Sequence, residues 1–207
     1  RVRAVLRSYA RNISTMTTAS TIMGDVRAND ISITDKTLSN YLTALRRLFI
    51  IEDVKAWQPS LRSRTGIRTS DKRHFVDTSI ATAILELNPK SVLEDFELFG
   101  FLFEDFCLRD IRVYTELLRG TVYHYHDNSN LEADLIIRLH DGRWAAIEVK
   151  TGSKEIEEAA ENLITLSNEV NTSKIGSPSF LMVLTAGQYA YRRKDGVYVV
   201  PIGCLKP

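Results

Sequence analysis

Two runs, Glu132-Ala-Asp-Leu-Ile-Ile-Arg-Leu and Arg143-Trp-Ala-Ala-Ile-Glu-Val-Lys, flank the tripeptide His140-Asp141-Gly142. Apolar, partly β-branched segments separated by an Asp-Gly pair read as the two strands of a tight hairpin. That hairpin commits the second half of the chain to a sheet. It also brings three charged side chains together, because Glu148 and Lys150 share one face of their strand and Asp134 lies on the facing strand.

Register decides whether Asp134 joins the other two. A two-residue Asp141-Gly142 turn sets Asp134 opposite Val149, facing the other way. A three-residue loop with Gly142 left-handed sets it opposite Glu148. A functional site requires the longer loop. In that register two carboxylates and an ammonium converge, which is poor for burial without compensation. A hard divalent cation, Mg²⁺ or Mn²⁺, compensates by taking oxygens from Asp134, Glu148 and the Val149 carbonyl. The expected chemistry is phosphodiester hydrolysis: the metal activates a water, Lys150 orients or helps deprotonate it, and Glu104, projecting from the preceding helix, holds a second metal or a ligand water. A second acidic-X-Lys pattern, Asp53-Val54-Lys55, has its upstream acid, Asp35, at a helix start and is set aside.

Around this hairpin the chain reads as mixed α and β. Helices are expected over residues 2–11, 18–27 and 35–48, the last capped by Thr34 with Leu38, Tyr41, Leu42, Leu45 and Leu48 inward. A strand over 50–57, a loop with Arg62, Arg64 and Arg68, and a return strand over 72–77 follow. Three helices and a basic ribbon make a winged helix-turn-helix, whose third helix would meet DNA through Lys36, Ser39, Asn40, Arg46 and Arg47, with the loop arginines on phosphates. Charge agrees: residues 1–75 carry +8 and the remainder −7, suiting the first module to a polyanion.

Residues 78–109 read as helical with a break at Asn88-Pro89 and an aromatic stripe, Leu93, Phe96, Phe99, Phe103 and Phe106, facing inward. Residues 113–118 read weakly as a strand and 121–126 clearly as one. Ser153 is expected to cap a helix to about residue 170, and strands over 180–184 and 197–202 complete the sheet. No long uncharged apolar run and no apolar leader core occur, so the expected location is cytoplasmic with no membrane partner. Cys107 and Cys204 make neither a disulfide framework nor a CxxC pair. His124 and His126, two apart on a strand, lack further zinc ligands at useful spacing and read as surface residues or, for His126, as a polar neighbour of the acidic site.

Phe103-Glu104-Asp-Phe, Glu132-Ala-Asp134-Leu-Ile and Ala146-Ile-Glu148-Val-Lys150-Thr-Gly resemble the C-terminal domain of unknown function of predicted bacterial and archaeal AAA-type ATPases, itself similar to the restriction-endonuclease-like Asp…(Asp/Glu)-X-Lys nuclease fold. Thr37-Leu-Ser-Asn-Tyr-Leu, Phe49-Ile-Ile and Val76-Asp77 resemble the winged-helix segment of the same family. The resemblance implies a winged helix over 1–77 and a restriction-endonuclease-like α/β domain, PD-(D/E)XK type, over 78–207. Glu104, Asp134, Glu148 and Lys150 match the nuclease pattern, while Ala133 stands where that motif has proline. It also implies an N-terminal ATPase module as partner, since no G-x-x-x-x-G-K-[ST] occurs within the 207 residues. Two functions are expected from this pattern: a Mg²⁺-dependent deoxyribonuclease, or a non-catalytic DNA- or protein-binding module that regulates the ATPase.

Overall fold

Local capping sets the first helices. Thr18 and Thr34 adopt extended backbone, and their side chains accept from the Thr21 and Thr37 N–H groups. The chain then enters α2 (Ala19–Arg27) and α3 (Asp35–Arg47), which follow α1 (Val2–Arg11). The computed structural model describes residues 1–59, 70–170 and 172–206. Within them the chain forms two compact units, one of residues 1–54 and 70–109, the other of residue 55 onward and 110 onward. The first unit runs on to Arg109, past the expected division at residue 77, and the chain leaves it between Lys55 and Ser70.

In the first unit Val5, Tyr9, Ile22, Leu38, Leu42 and Leu45 pack with Phe75 and Leu102. Leu48 does not join them: α3 stops at Arg47 and leaves Leu48 67% exposed. The stop is a Schellman cap, with Ile50 N–H bonded to Leu45 O and Phe49 N–H to Arg46 O, and Phe49 left-handed at φ 53°. The ribbon after α3 is reduced to isolated antiparallel bridges, Ile51 with Phe75 and Val54 with Lys72. Two short helices follow, α4 (Thr78–Ile84) and α5 (Pro89–Glu94), the latter opened by Asn88 in a capping box.

The long helix α6 (Phe96–Leu117) departs from expectation at both ends. Leu93 and Phe96 are exposed, and the buried stripe begins only at Leu102 and Phe103. Residues 113–117, read as a strand, continue the helix. Ile111 and Thr115, one turn apart, are both buried, so tertiary packing overrides β-propensity.

After that helix a six-stranded mixed sheet forms in the order β1-β2-β3-β4-β6-β5. Its strands are β1 (Gly120–His126), β2 (Glu132–Leu139), β3 (Trp144–Lys150), β4 (Leu181–Thr185), β5 (Tyr191–Arg192) and β6 (Tyr198–Pro201). Pairs β3–β4 and β4–β6 are parallel and the rest antiparallel. The parallel crossover between β3 and β4 runs through α7 (Ile156–Glu169) and the short α8 (Thr172–Ile175). Ser153 does not cap α7; a 3₁₀ turn over Ser153–Glu155 precedes it. The face of α7 carrying Ile156, Ala159, Ala160, Leu163 and Leu166 packs with Ile136, Trp144, Ala146, Val183 and Val199. Trp57 joins this core, its ring 4.8 Å from that of Trp144, through a parallel bridge of Ala56 with His124.

The first unit is tied by a charged knot. Asp53, with a side chain 6% exposed, receives the Tyr9 hydroxyl, the Arg46 Nε at 2.8 Å and the Arg73 Nη1 at 3.1 Å. Burial pushes the Asp53 carboxyl up, but the Tyr9 bond and the two guanidiniums outweigh it and hold it below the usual carboxylate range. A depressed folded pKa contributes stability above the unfolded value, and that contribution is lost as pH falls through the folded one. Asp53→Asn is therefore expected to destabilise the protein by about 2–3 kcal/mol at pH 7, since it strips the counter-charge from Arg73. Urea unfolding at pH 7 should show this gap, and the gap should close in strong acid.

Candidate active site

The β2–β3 hairpin has the register a site requires. Leu135 pairs with Ile147, Ile136 with Ala146 and Arg138 with Trp144, which sets Asp134 opposite Glu148. The loop is the three-residue one: Leu139 N–H bonds Arg143 O, Gly142 N–H bonds Leu139 O, and Gly142 has φ 91°. A side chain at 142 would be strained there, so glycine at that place sets the face on which Asp134 emerges.

Beyond Leu135 the ladder opens, and Asp134 fills the gap with its side chain. Its Oδ2 accepts the Val149 N–H at 2.8 Å, while β3 continues its other edge against β4 through Glu148 with Val183 and Lys150 with Thr185. Asp134 thus satisfies a backbone donor as well as facing Glu148. Glu148 is buried, with a side chain 1% exposed. Its Oε2 lies 3.0 Å from Lys150 Nζ, and its Oε1 has no hydrogen-bond partner among the described residues.

Electrostatics follow from this geometry. Burial, then the Asp134 carboxylate, raise the Glu148 carboxyl well above its ordinary value against the opposing pull of Lys150. For Lys150, burial acts downward, but Glu148 and Asp134 override it and the ammonium titrates above its ordinary value. With both carboxylates beside it Lys150 is held as an ammonium, a donor of charge and hydrogen bonds.

Two further groups border the trio that sequence reasoning left out or only glimpsed. Glu132 begins β2, and β1 sets His126 beside it, with Nδ1 to Oε2 at 3.7 Å. Glu132 raises both Glu148 and Lys150 by its charge. His126 is thus a polar neighbour of the acidic residues, as one of its two readings had it, while His124 is not a surface residue: it is fully buried, and an irregularity between Tyr123 and Tyr125 breaks the two-residue alternation that would have put the two histidines on one face.

Asp134, Glu148 and Lys150 are brought together in the second unit. Glu104 belongs to the first, where its Oε1 meets Lys72 Nζ at 2.8 Å and lies 3.9 Å from His74 Nε2. Among the described residues no group of three or more His, Cys, Asp or Glu side chains is arranged to hold a metal. Two carboxylates, one with an oxygen lacking a partner, nonetheless suit Mg²⁺, which binds through one or two carboxylates and keeps waters or substrate phosphates elsewhere. On α3, Lys36, Ser39, Asn40 and Arg47 are exposed. Arg46 is bound to Asp53 in a two-pronged pair, which also accounts for the Asp53-Val54-Lys55 pattern as structural. Arg62, Arg64 and Arg68 lie outside the described residues.

Two family models match the sequence, each of a domain of unknown function: DUF8612 over residues 1–91 and DUF4143 over residues 99–205. DUF4143 is usually a C-terminal region of AAA-ATPase proteins. Curated proteins give no match. Among solved structures, a refined half-complex from a tetradecameric assembly of Thermococcus gammatolerans McrB AAA+ hexamers with bound McrC is similar, with TM-score 0.32 and 10% identity. The alignment covers 97% of this chain and 70% of that one. With the DUF4143 model spanning more than half of its length, the chain belongs to the DUF4143 family.

Proposed function

We propose that the second unit is a Mg²⁺-dependent phosphodiesterase of restriction-endonuclease-like type acting on DNA, in the C-terminal region of an AAA-type ATPase. The observation that carries this reading is the Asp134–Glu148 cross-strand pair with Lys150 beside it, a buried charge cluster whose Glu148 oxygen has no internal partner. Such a cluster costs stability unless a ligand uses it. Family membership supports the association with an ATPase module.

Asp134, Glu148 and the Val149 carbonyl would hold the metal, which when bound lowers the pKa of a coordinated water and offsets phosphate charge. Lys150, kept protonated by its carboxylate neighbours, donates to a non-bridging phosphate oxygen as charge builds there. Glu132, beside His126, adds negative charge in the neighbourhood of Lys150. The direct test is incubation of the folded protein with single-stranded and duplex DNA and Mg²⁺ or Mn²⁺. Cleavage that depends on the metal supports the reading, and intact DNA in every case contradicts it.

The first unit is proposed to be a winged helix-turn-helix that meets DNA through α3. Lys36→Ala with Arg47→Ala is expected to weaken duplex binding and to flatten its dependence on salt by roughly 0.9 for each phosphate no longer neutralised. Binding measured by fluorescence anisotropy across a salt series checks this. Arg46→Ala should mainly lower stability, because its guanidinium serves Asp53.

The internal pairing of Glu148 with Lys150 favours a second reading, a non-catalytic DNA- or protein-binding module regulating the ATPase. Binding without cleavage, unchanged by Asp134→Ala, would favour that module.

A further inference from the structure

Two apolar features of the first unit face away from its core. The first is the tip that closes α3. Leu48 is exposed, and Phe49, in the left-handed conformation of the Schellman cap, is 78% exposed. Glycine is the residue such a cap favours, because a Cβ is strained there. The apolar contact that accompanies the cap falls to Ile50, which packs against the core of the unit. A phenylalanine at position 49 therefore serves neither the cap nor the core.

The second is a groove around α5. A hollow of about 430 Å³ lies between the end of α4 and the start of α6, walled by Leu87, Pro89, Val92, Leu93 and Phe99. That size falls among pockets of about 300–1,000 Å³ that take compact ligands, and it admits two apolar side chains. Helix α5 buries none of its residues; Leu93 is exposed, and Phe96, three residues on, is 74% exposed. Charge matches the tip to the groove. Arg47, exposed, immediately precedes the tip, whereas residues 86–97 carry Glu86, Glu94, Asp95 and Glu97 against Lys90 alone. Arg7 and Arg11 share an adjoining hollow with Asp95 and Glu97 and offset part of that charge.

We infer that the first unit self-associates head to tail, the Leu48–Phe49 tip of one copy entering the groove at Leu87, Val92, Leu93 and Phe99 of a second, with Arg47 meeting the acids beside it. Tip and groove are different surfaces, so the contact is heterologous and a dimer still offers one free tip and one free groove. Two side chains in a small hollow bury well under the about 1,200 Å² of a stable interface, so the association is weak and depends on concentration. Arg47 is also among the residues proposed to meet DNA, but the inference stands on the tip and the groove and rests on neither the DNA nor the nuclease reading.

Sedimentation velocity of the whole chain over about 5–500 µM, the range a weak contact requires, tests this in EDTA without DNA. Wild type is expected to sediment faster as concentration rises. Phe49→Gly removes the ring and relieves the left-handed backbone, so it should resist urea at least as well as wild type yet weaken association about 10-fold or more. Leu93→Glu should weaken association as much from the groove side; the residue is exposed, so the variant folds as wild type does, which circular dichroism verifies. The decisive arm mixes the two variants, each monomeric alone at the same concentration. Leu93→Glu keeps a tip and Phe49→Gly keeps a groove, so together they should form a one-to-one dimer that grows no further. Wild type that stays monomeric throughout, either variant associating as wild type does, or a mixture that stays monomeric would overturn the inference.

Discussion

Lys150→Met is expected to lower metal-dependent DNA cleavage by about 10²–10³-fold, the usual cost of removing one preorganised donor from a developing negative charge. The pH profile distinguishes this role from the other expected one, helping to deprotonate a water. Glu148 and Asp134 raise Lys150 against the downward effect of burial, so the ammonium stays charged throughout the neutral range. A pH profile of cleavage should therefore show no loss on the acid side that Lys150→Arg removes. Lys150→Arg retains charge but replaces a compact ammonium by a planar fork, and partial activity is expected. Stability supplies a second readout. Removing the ammonium leaves Glu148 buried beside Asp134 without its one opposing charge, so Lys150→Met should unfold at lower urea than wild type at pH 8. Equal activity of Lys150→Met and wild type would remove the lysine from the mechanism.

Glu148→Gln is expected to abolish cleavage while making the protein more stable at pH 8. The Glu148 carboxyl is raised in the folded state by burial and by Asp134, so the folded protein binds its proton more tightly than the unfolded chain does. In the interval between the unfolded value, about 4.3, and the raised folded one, stability must fall as pH rises. Glutamine keeps the shape and carries no charge to bury, so the variant escapes this loss. The two proteins should melt together in acid and diverge as pH increases, with a gain of about 2–4 °C for each kcal/mol in a chain of this length. A variant less stable than wild type at pH 8 would show that Lys150 compensates Glu148 fully, and the cluster would then be an ordinary internal ion pair.

What could be read in advance was what depends on neighbours in sequence. Thr34 and its helix, Gly142 and the three-residue loop, and hence the facing of Asp134 and Glu148, all follow from a few adjacent residues. What could not be read depends on residues far apart. Arg46 looks like a free cation on α3 until Asp53 and Arg73 are folded against it. The Val149 N–H reaches Asp134 only because β2 and β3 part company at that point, which no pattern of hydrophobicity reveals. Residues 113–117 look like a strand by composition, yet Ile111 and Thr115 sit on one buried helical face. Leu48 and Phe96 fit apolar periodicities but fall past or at the helix ends, where the face no longer meets a core.

Calorimetric titration of Mg²⁺ and Mn²⁺ into wild type, Asp134→Ala and Asp134→Asn, with cleavage followed on the same samples, tests the central claim most directly. Asn retains an acceptor for the Val149 N–H, so it separates loss of metal from the roughly 1–3 kcal/mol cost of leaving that donor unsatisfied. The expected result is saturable metal binding by wild type, lost in both variants together with cleavage. Folded wild type that takes up neither ion, or Asp134→Asn that binds metal as wild type does, would contradict the claim.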